Sequence, residues 1–450
     1  FMVIVRKTFF LLVFVLLTAS FFYFGTYRNW PYKIESDGKY YYQYLVSGIN
    51  DGDLDFSNNY ATPKYPWMAM EVDHYQLRKV VDPSTGKPVN YWTVGPAILW
   101  LPFYFAAALL GKGAMLLGFQ VDLNPFGRYM QYATMFSAVF YVLGALYLLY
   151  RIMREFCAEG AAKTSLWLTL FMTPLFYYTI FEPSLSHVYD FFTFTVIIYL
   201  SLKFKPTQPV LFHLLFGAMS ALHVLVRTQN IINIFIILLF LALGMIRSGE
   251  IRQLSIPKTL VCFTALLAGL APIALINTYL YGSPLTIPQG EGFLRWHDPQ
   301  IIPLLFSARN VMFSHHPIFL AGIIGYLLLL YRRQDNRLLL TGLLCLFFVQ
   351  VYINSVVEDW WAGHSFGQRR LLFALPLCAL GLGYILDRMQ ARFTQFTRVF
   401  TPLFVITGTI LWFYLTMIHV FIWDYNKPHD IYLWMFKYAP KILGEYYGLL

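Results

Sequence analysis

Apolar stretches alternate with short polar ones along almost the whole chain. Eleven of the apolar runs, at 8–25, 131–150, 165–180, 187–202, 211–226, 231–245, 260–280, 317–331, 338–353, 371–385 and 403–422, approach the length that a helix needs to cross a bilayer. Several have only 15 or 16 core residues, so their ends must borrow interfacial aromatics. The first run follows Arg6 and Lys7, as in a signal peptide. Its Thr18-Ala19-Ser20 leads into Phe21–Phe24 rather than a polar start, which predicts a retained anchor.

A twelfth apolar run, 94–117, is interrupted by Gly95, Pro96, Pro102, Gly111 and Lys112. As a crossing it would move every later loop to the other side. Kept on one surface, it leaves sixteen of the 33 Lys and Arg in the N-terminal-side loops, opposed by five of the 23 Asp and Glu. The other side is then close to neutral. Because basic residues in short loops set orientation, the expected fold is an all-α polytopic membrane protein with eleven spans. Its N-terminus is cytoplasmic and its C-terminus outside, and 94–117 is a helix lying in the outer interface.

Composition agrees with a membrane chain. Of the 450 residues, 58% are hydrophobic and 12% charged, which rules out an ordinary soluble enzyme, a disordered protein and a nucleic-acid binder. The net charge of +10 marks topology rather than a polyanionic partner. Cys157, Cys262, Cys345 and Cys378 lie in or beside apolar runs, so neither a disulfide framework nor a Cys-type zinc site is indicated. No internal repeat divides the chain, and 1–450 reads as one transmembrane domain. Three long outer loops at 26–128, 281–316 and 356–370 and an outer tail at 423–450 are expected, and nine of the ten histidines, all but His213, map to the outer half. Chemistry is therefore expected outside.

Each candidate residue has a functional and a structural reading. Asp37, in Glu35-Ser36-Asp37-Gly38-Lys39-Tyr40-Tyr41-Tyr42, follows the first span closely, and burial by the tyrosines would suit a general base. Alternatively Ser36 or Asp37 caps a helix over 40–49. Asp51-Gly52-Asp53-Leu54-Asp55 has the look of a cation loop, but the EF-hand glycine and glutamate positions hold Phe56 and Thr62, so it reads as a solvated turn. His187 and Asp190 share a helix face near an outer end, as do His223 and Arg227 on the next span, with Gln229 and Asn230 just beyond. An arginine at that depth needs an anionic partner, either Asp190 or a lipid phosphate. Arg295, His297, Arg309, His315 and His316 add cationic capacity. The last outer loop runs Glu358-Asp359-Trp360-Trp361-Ala362-Gly363-His364-Ser365-Phe366-Gly367-Gln368-Arg369-Arg370. Paired tryptophans, glycines and a planar guanidinium suit a site that stacks a sugar and holds a phosphate; an interfacial aromatic belt accounts for Trp360 and Trp361 but not for the glycines or His364.

Taken in order, these pieces resemble a GT-C glycosyltransferase of the protein-mannosyltransferase and aminoarabinose-transferase kind. The resemblance runs from Asp37-Gly38-Lys39-Tyr40-Tyr41 through Val94-Gly95-Pro96 and Leu101-Pro102, Gly127-Arg128, Arg227-Thr228-Gln229 and Leu305-Phe306-Ser307 with His315-His316-Pro317, to the 360–369 segment. Two positions depart from it: Gly38 stands where relatives often carry Glu, and the proline pair that opens the surface helix is reduced to Gly95-Pro96. The resemblance implies inverting transfer of a sugar from a polyprenyl-phosphate donor to a lipid, glycan or protein acceptor, in a bacterial inner membrane with the site facing the periplasm. Asp37 would be the base. Arg227 and Arg369 would hold the phosphate with support from His187 and His364. Asp190, Glu358 and Asp359 would be secondary acidic or positioning groups, and Tyr40, Tyr41, Trp360, Trp361, Arg295, His315 and His316 would contact sugar or lipid. No cofactor is expected, and metal independence is the expectation, with Asp51–Asp55 the place a divalent cation would revive. A lipid or polysaccharide transporter or scramblase, and a ligase-like transfer of an oligosaccharide from a lipid diphosphate, are the competing readings.

Overall fold

The computed structural model describes residues 2–27, 33–34, 36–60, 82–290, 292–307, 312–332, 336–363, 365–421, 437–438 and 440–441. Within these, eighteen α-helices follow in chain order. They are α1 (Met2–Tyr27), α2 (Gly38–Val46), α3 (Ser57–Tyr60), α4 (Gly95–Leu116), α5 (Arg128–Met135) and α6 (Ser137–Met153). Next come α7 (Glu159–Phe171), α8 (Leu175–Ile180), α9 (His187–Lys203), α10 (Val210–Val226), α11 (Ile231–Ser248) and α12 (Ile256–Tyr281). The chain closes with α13 (Ile301–Phe306), α14 (Met312–His315), α15 (Ile318–Arg332), α16 (Arg337–Ser355), α17 (Leu375–Arg392) and α18 (Thr394–Phe421). Among the described residues the only extended pairing is an isolated antiparallel bridge between Leu294 and Val357.

The protein is an all-α polytopic membrane protein. Among the described residues, eight helical stretches are long and apolar enough to cross a bilayer: seven of the expected spans, and Gly95–Leu116. The four other expected spans fall on α7–α8, α9, α10 and α15; α8 has 6 residues and the other four helices 13 to 17. The 165–180 run is broken between α7 and α8 at Thr173-Pro174, because proline cannot donate to the preceding turn and disfavours helix at the residue before it. α5 and α6 form one interrupted rod with a break at Phe136, and α1 runs beside it in the opposite sense, Phe10 meeting Tyr150 and Phe21 meeting Tyr132.

α9 is the central helix. It packs on α6, α10 and the 3-10 turn Arg369–Ala374, and most of its length is buried, including the polar His187, Asp190, Thr193 and Thr195. α10 lies close against α12, where Gly217 and Ala221 meet Cys262, Ala265 and Gly269. By contrast α12 turns nearly all of its apolar surface outward, as a helix solvated by lipid does.

α4 has the length and composition of a span, yet the contacts along it stay at one end of the bundle. Gly95 abuts Leu225 and Val226 at the last turn of α10, and the Leu99 carbonyl accepts from Tyr141 Oη at 2.7 Å. Trp100 meets Tyr189 in the first turn of α9. Further along, the Ala107 carbonyl accepts from Tyr129 Oη at 2.9 Å, and Gly111 faces Leu123 and Tyr129. Its C-terminal half exposes Phe105, Leu109, Leu110, Met115 and Leu116.

Candidate active site

The segment carrying Asp37 is fastened to that same end of the bundle. Lys33, buried, donates from Nζ to the Ile180 carbonyl at 2.8 Å and sits over the Phe21 ring, while its backbone N–H donates to Gln131 Oε1. From α2, Tyr42 Oη donates to the Pro125 carbonyl, Tyr44 Oη to the Trp92 carbonyl, and Tyr41 Oη to Ser186 Oγ at 3.1 Å. Tyr40 stacks on Trp92 at 3.8 Å between ring centroids. Burial, reinforced by the neighbouring Asp37 carboxylate, pushes the Tyr41 hydroxyl far above its usual range, so it acts as a neutral hydrogen-bond donor and not as a base.

Asp37 itself occupies the N-cap position of α2, but its side chain makes no capping hydrogen bond; only its backbone carbonyl accepts, from the N–H groups of Tyr40 and Tyr41. Ser36, at φ +50°, turns the chain through the left-handed region just before it. On the other side a Cβ on Gly38 would lie 2.1 Å from Ser184 Oγ and 2.4 Å from Ser184 Cβ, so only glycine lets α2 start this close to the α8–α9 turn. The carboxylate, 26% exposed, instead faces Arg369, with Oδ2 at 3.4 Å from Nη2.

Around this pair stand two more acid–arginine pairs. Arg227 Nη1 lies 3.4 Å from Asp190 Oδ2 and donates to the Arg370 carbonyl at 3.3 Å. Asn230 holds the other Asp190 oxygen at 2.7 Å. Arg370 is clamped by Asp359, with Nη2 to Oδ1 at 2.6 Å and Nη1 to the backbone carbonyl at 2.9 Å. The three guanidiniums are not equivalent. Arg370 is tied down by short bonds, whereas Arg227 and Arg369 hold their carboxylates at distances beyond a tight charge-assisted hydrogen bond. Among the described residues, Arg369 Nε is buried without a hydrogen-bond partner. His187, buried on α9, is within electrostatic reach of all three arginines, and its Nδ1 also lacks a partner among the described residues. Tyr41 likewise senses Asp37, Arg227 and Arg369.

The loop that delivers Arg369 and Arg370 is tightly folded. Gln368 Nε2 donates to the Trp360 carbonyl at 3.0 Å, and Phe366 N donates to Tyr178 Oη at 3.1 Å. Gly367, at φ +65°, brings its backbone against the His316 ring, where a Cβ would come within 2.6 Å of Nε2. Trp360 and Trp361 are half-buried and perpendicular to each other.

The structure therefore brings together Asp37, Tyr41, Asp190, His187, Arg227, Arg369 and, through Arg370, Asp359. It separates others. Arg295 and Glu358 pair with each other at 2.7 Å on the exposed rim, flanking the Leu294–Val357 bridge. His316 is buried behind the loop, accepting from Trp412 Nε1 at 2.8 Å and packing on Phe366; His315 beside it is also buried. His364, Arg309 and most of 423–450 lie outside the described residues. In the acidic turn, Asp53 Oδ1 accepts from Ser47 Oγ and Asp55 N, Asp55 Oδ1 from Ser57 N, and Asp51 Oδ2 from Asn58 Nδ2. Among the described residues no group of three His, Cys, Asp or Glu side chains is placed to hold a metal.

Some participants were not singled out from the sequence. Ser184 and Ser186 belong to the α8–α9 turn and have no motif of their own. Glu182 accepts from Tyr177 Oη at 2.9 Å and lies within electrostatic reach of Arg369; the one sequence signal was an acid beside Pro183 at an outer helix start.

No family model and no curated protein matches the chain. Among solved structures it is similar to the crystal structure of the Archaeoglobus fulgidus oligosaccharyltransferase in the apo form, with a TM-score of 0.51 at 11% sequence identity. The match covers 95% of this chain and 55% of that one, so the chain spans about half that protein's length. At this identity the likeness is one of fold alone.

Proposed function

We propose that the protein is an inverting glycosyltransferase of the protein-mannosyltransferase and aminoarabinose-transferase kind. It moves a sugar from a polyprenyl-phosphate donor to a lipid, glycan or protein acceptor on the outer face of a bacterial inner membrane. The observation that carries this reading is the Asp37 carboxylate: spared from helix capping, partly exposed, and 3.4 Å from a guanidinium with unused donor capacity.

In the proposed reaction Asp37 accepts the proton of an acceptor hydroxyl. The freed oxygen lone pair forms a bond to the anomeric carbon from the face opposite the phosphate. The anomeric C–O bond breaks, its electron pair leaving on the phosphate of the lipid carrier. Arg227 and Arg369, with His187 beside them, stabilise the charge that develops there. Donors already fixed in a partly buried site need little rearrangement as the charge appears. Arg370 is engaged by Asp359, which leaves two loosely paired guanidiniums for the donor and favours a monophosphate over a lipid diphosphate. Tyr40, Tyr41, Trp360 and Trp361 offer ring faces for sugar or lipid. The outward orientation rests on the Lys and Arg distribution, supported by the position of α4 along one end of the bundle. Metal independence remains part of the proposal.

The test is to purify the protein in mild detergent and identify copurifying lipid by mass spectrometry. A polyprenyl phosphate carrying one sugar is expected, and its loss on addition of acceptor extract would report transfer. A polyprenyl diphosphate bearing an oligosaccharide would replace this reading with the ligase one.

A further inference from the structure

Behind Arg227, in the interior of the bundle, lies a closed circuit of polar side chains. Arg227 Nη2 donates to Gln229 Oε1 at 3.4 Å, and Gln229 Nε2 to Gln350 Oε1 at 2.9 Å. Gln350 Nε2 donates to Asn233 Oδ1 at 2.6 Å, and Asn233 Nδ2 meets His223 Nε2 at 3.1 Å. His223 Nδ1 faces Asp190 Oδ1 at 3.6 Å and Thr193 Oγ1 at 2.9 Å. Asp190 Oδ2 then returns to Arg227 Nη1 at 3.4 Å. The members come from α9, α10, the turn after it, α11 and α16. Gln350, Asn233 and His223 are fully buried.

The direction of this circuit is fixed by chemistry. A guanidinium has donors only, so Gln229 must turn its oxygen toward Arg227 and its N–H₂ group onward. The same reasoning passes through Gln350 and Asn233, so His223 accepts at Nε2 and carries its hydrogen on Nδ1, toward Thr193 and Asp190. Reversing the Gln350 or Asn233 amide would set two donors or two acceptors face to face among fully buried side chains. Both ends of the circuit therefore act on one group, orienting the Arg227 guanidinium from Nη1 and from Nη2. Among the described residues no acceptor faces its Nε–H or its second Nη2–H, the pair of donors a phosphate takes side-on.

We infer that Gln350 and Asn233, through Gln229 and His223, are positioning residues that hold Arg227 in the orientation needed to receive the donor's phosphate. This rests on the donor-site reading above and adds to it an interior device linking α16 to the site. A packing role alone would not predict that the contribution of Gln350 disappears when Arg227 is removed.

A double-mutant cycle tests this, with undecaprenyl phosphate in detergent micelles as the probe. Binding would be measured for the unaltered protein, Arg227→Ala, Gln350→Met and the double variant, with thermal unfolding as the check on folding. Gln350→Met should weaken binding roughly tenfold, and the double variant should bind as Arg227→Ala does. Unaltered binding by Gln350→Met, or a Gln350→Met loss that persists in full without Arg227, would overturn the inference. Unaltered binding by Arg227→Ala would instead overturn the donor-site reading and the inference with it. Should Gln350→Met fail to fold, Gln229→Met cuts the same circuit at its half-buried link and carries the same expectations.

Discussion

Asp37 owes its position to its two neighbours. Ser36 adopts a left-handed conformation to turn the chain, and Gly38 lets the start of α2 touch Ser184. Gly38→Ala should therefore push the carboxylate out of place, costing about 1–3 kcal/mol of stability and most of the transfer activity. Ser184→Gly in the same chain, which removes the two atoms in the way, should restore much of both in melting and turnover assays. Arg227→Lys keeps the charge but loses the planar fork, so donor affinity should fall about tenfold in a binding titration. An unchanged affinity would assign Arg227 to a structural pair with Asp190. At this scale the sequence was readable where a residue's role follows from its neighbours along the chain. Asp37 stood out because it follows a span directly. The need for glycine at 38 did not, because the atom that excludes a side chain belongs to a distant turn.

Elements hold these residues at fixed distances. α9 presents His187 and Asp190 to the site because nearly all of it is buried against α6, α10 and the 369–374 turn. The apolar runs located the helices well, and Pro174 shows why one run became two. The surface placement of α4 came only from charge counting, since its composition is that of a span; its contacts lie at one end of its neighbours. Invisible in the sequence was the loop's internal clamp. Asp359 and Glu358 read as secondary acidic or positioning groups, yet Asp359 binds Arg370, and Glu358 binds Arg295 on the rim. Asp359→Ala should release the loop, cost roughly 1–2 kcal/mol given the partial exposure of the pair, and weaken donor binding without abolishing it. Thermal melting alongside lipid titration would check both effects.

Over the whole molecule, the proposal requires one side of the bundle to face outward. Single cysteines introduced in a chain without its native ones report this directly. Asp298→Cys, in the second long loop, should react with a membrane-impermeant maleimide in intact cells, whereas Gln253→Cys, between α11 and α12, should react only after permeabilisation. The reverse pattern would turn the site toward the cytoplasm. Transfer should also survive EDTA in a turnover assay; reversible inhibition would bring the Asp51–Asp55 turn back as a cation site. The all-α membrane fold was legible from the apolar runs, whereas the closing of the Arg227 circuit through α11 and α16 depends on helix packing that no local pattern encodes.

The central claim is that the Asp37 carboxylate takes the acceptor's proton, and Asp37→Asn tests it with almost no change in shape. Single-turnover transfer from a polyprenyl-phosphate sugar should fall by roughly 10²–10⁴-fold, while donor binding and melting temperature stay close to those of the unaltered protein. Transfer at an undiminished rate by a folded, donor-bound Asp37→Asn protein would contradict the account.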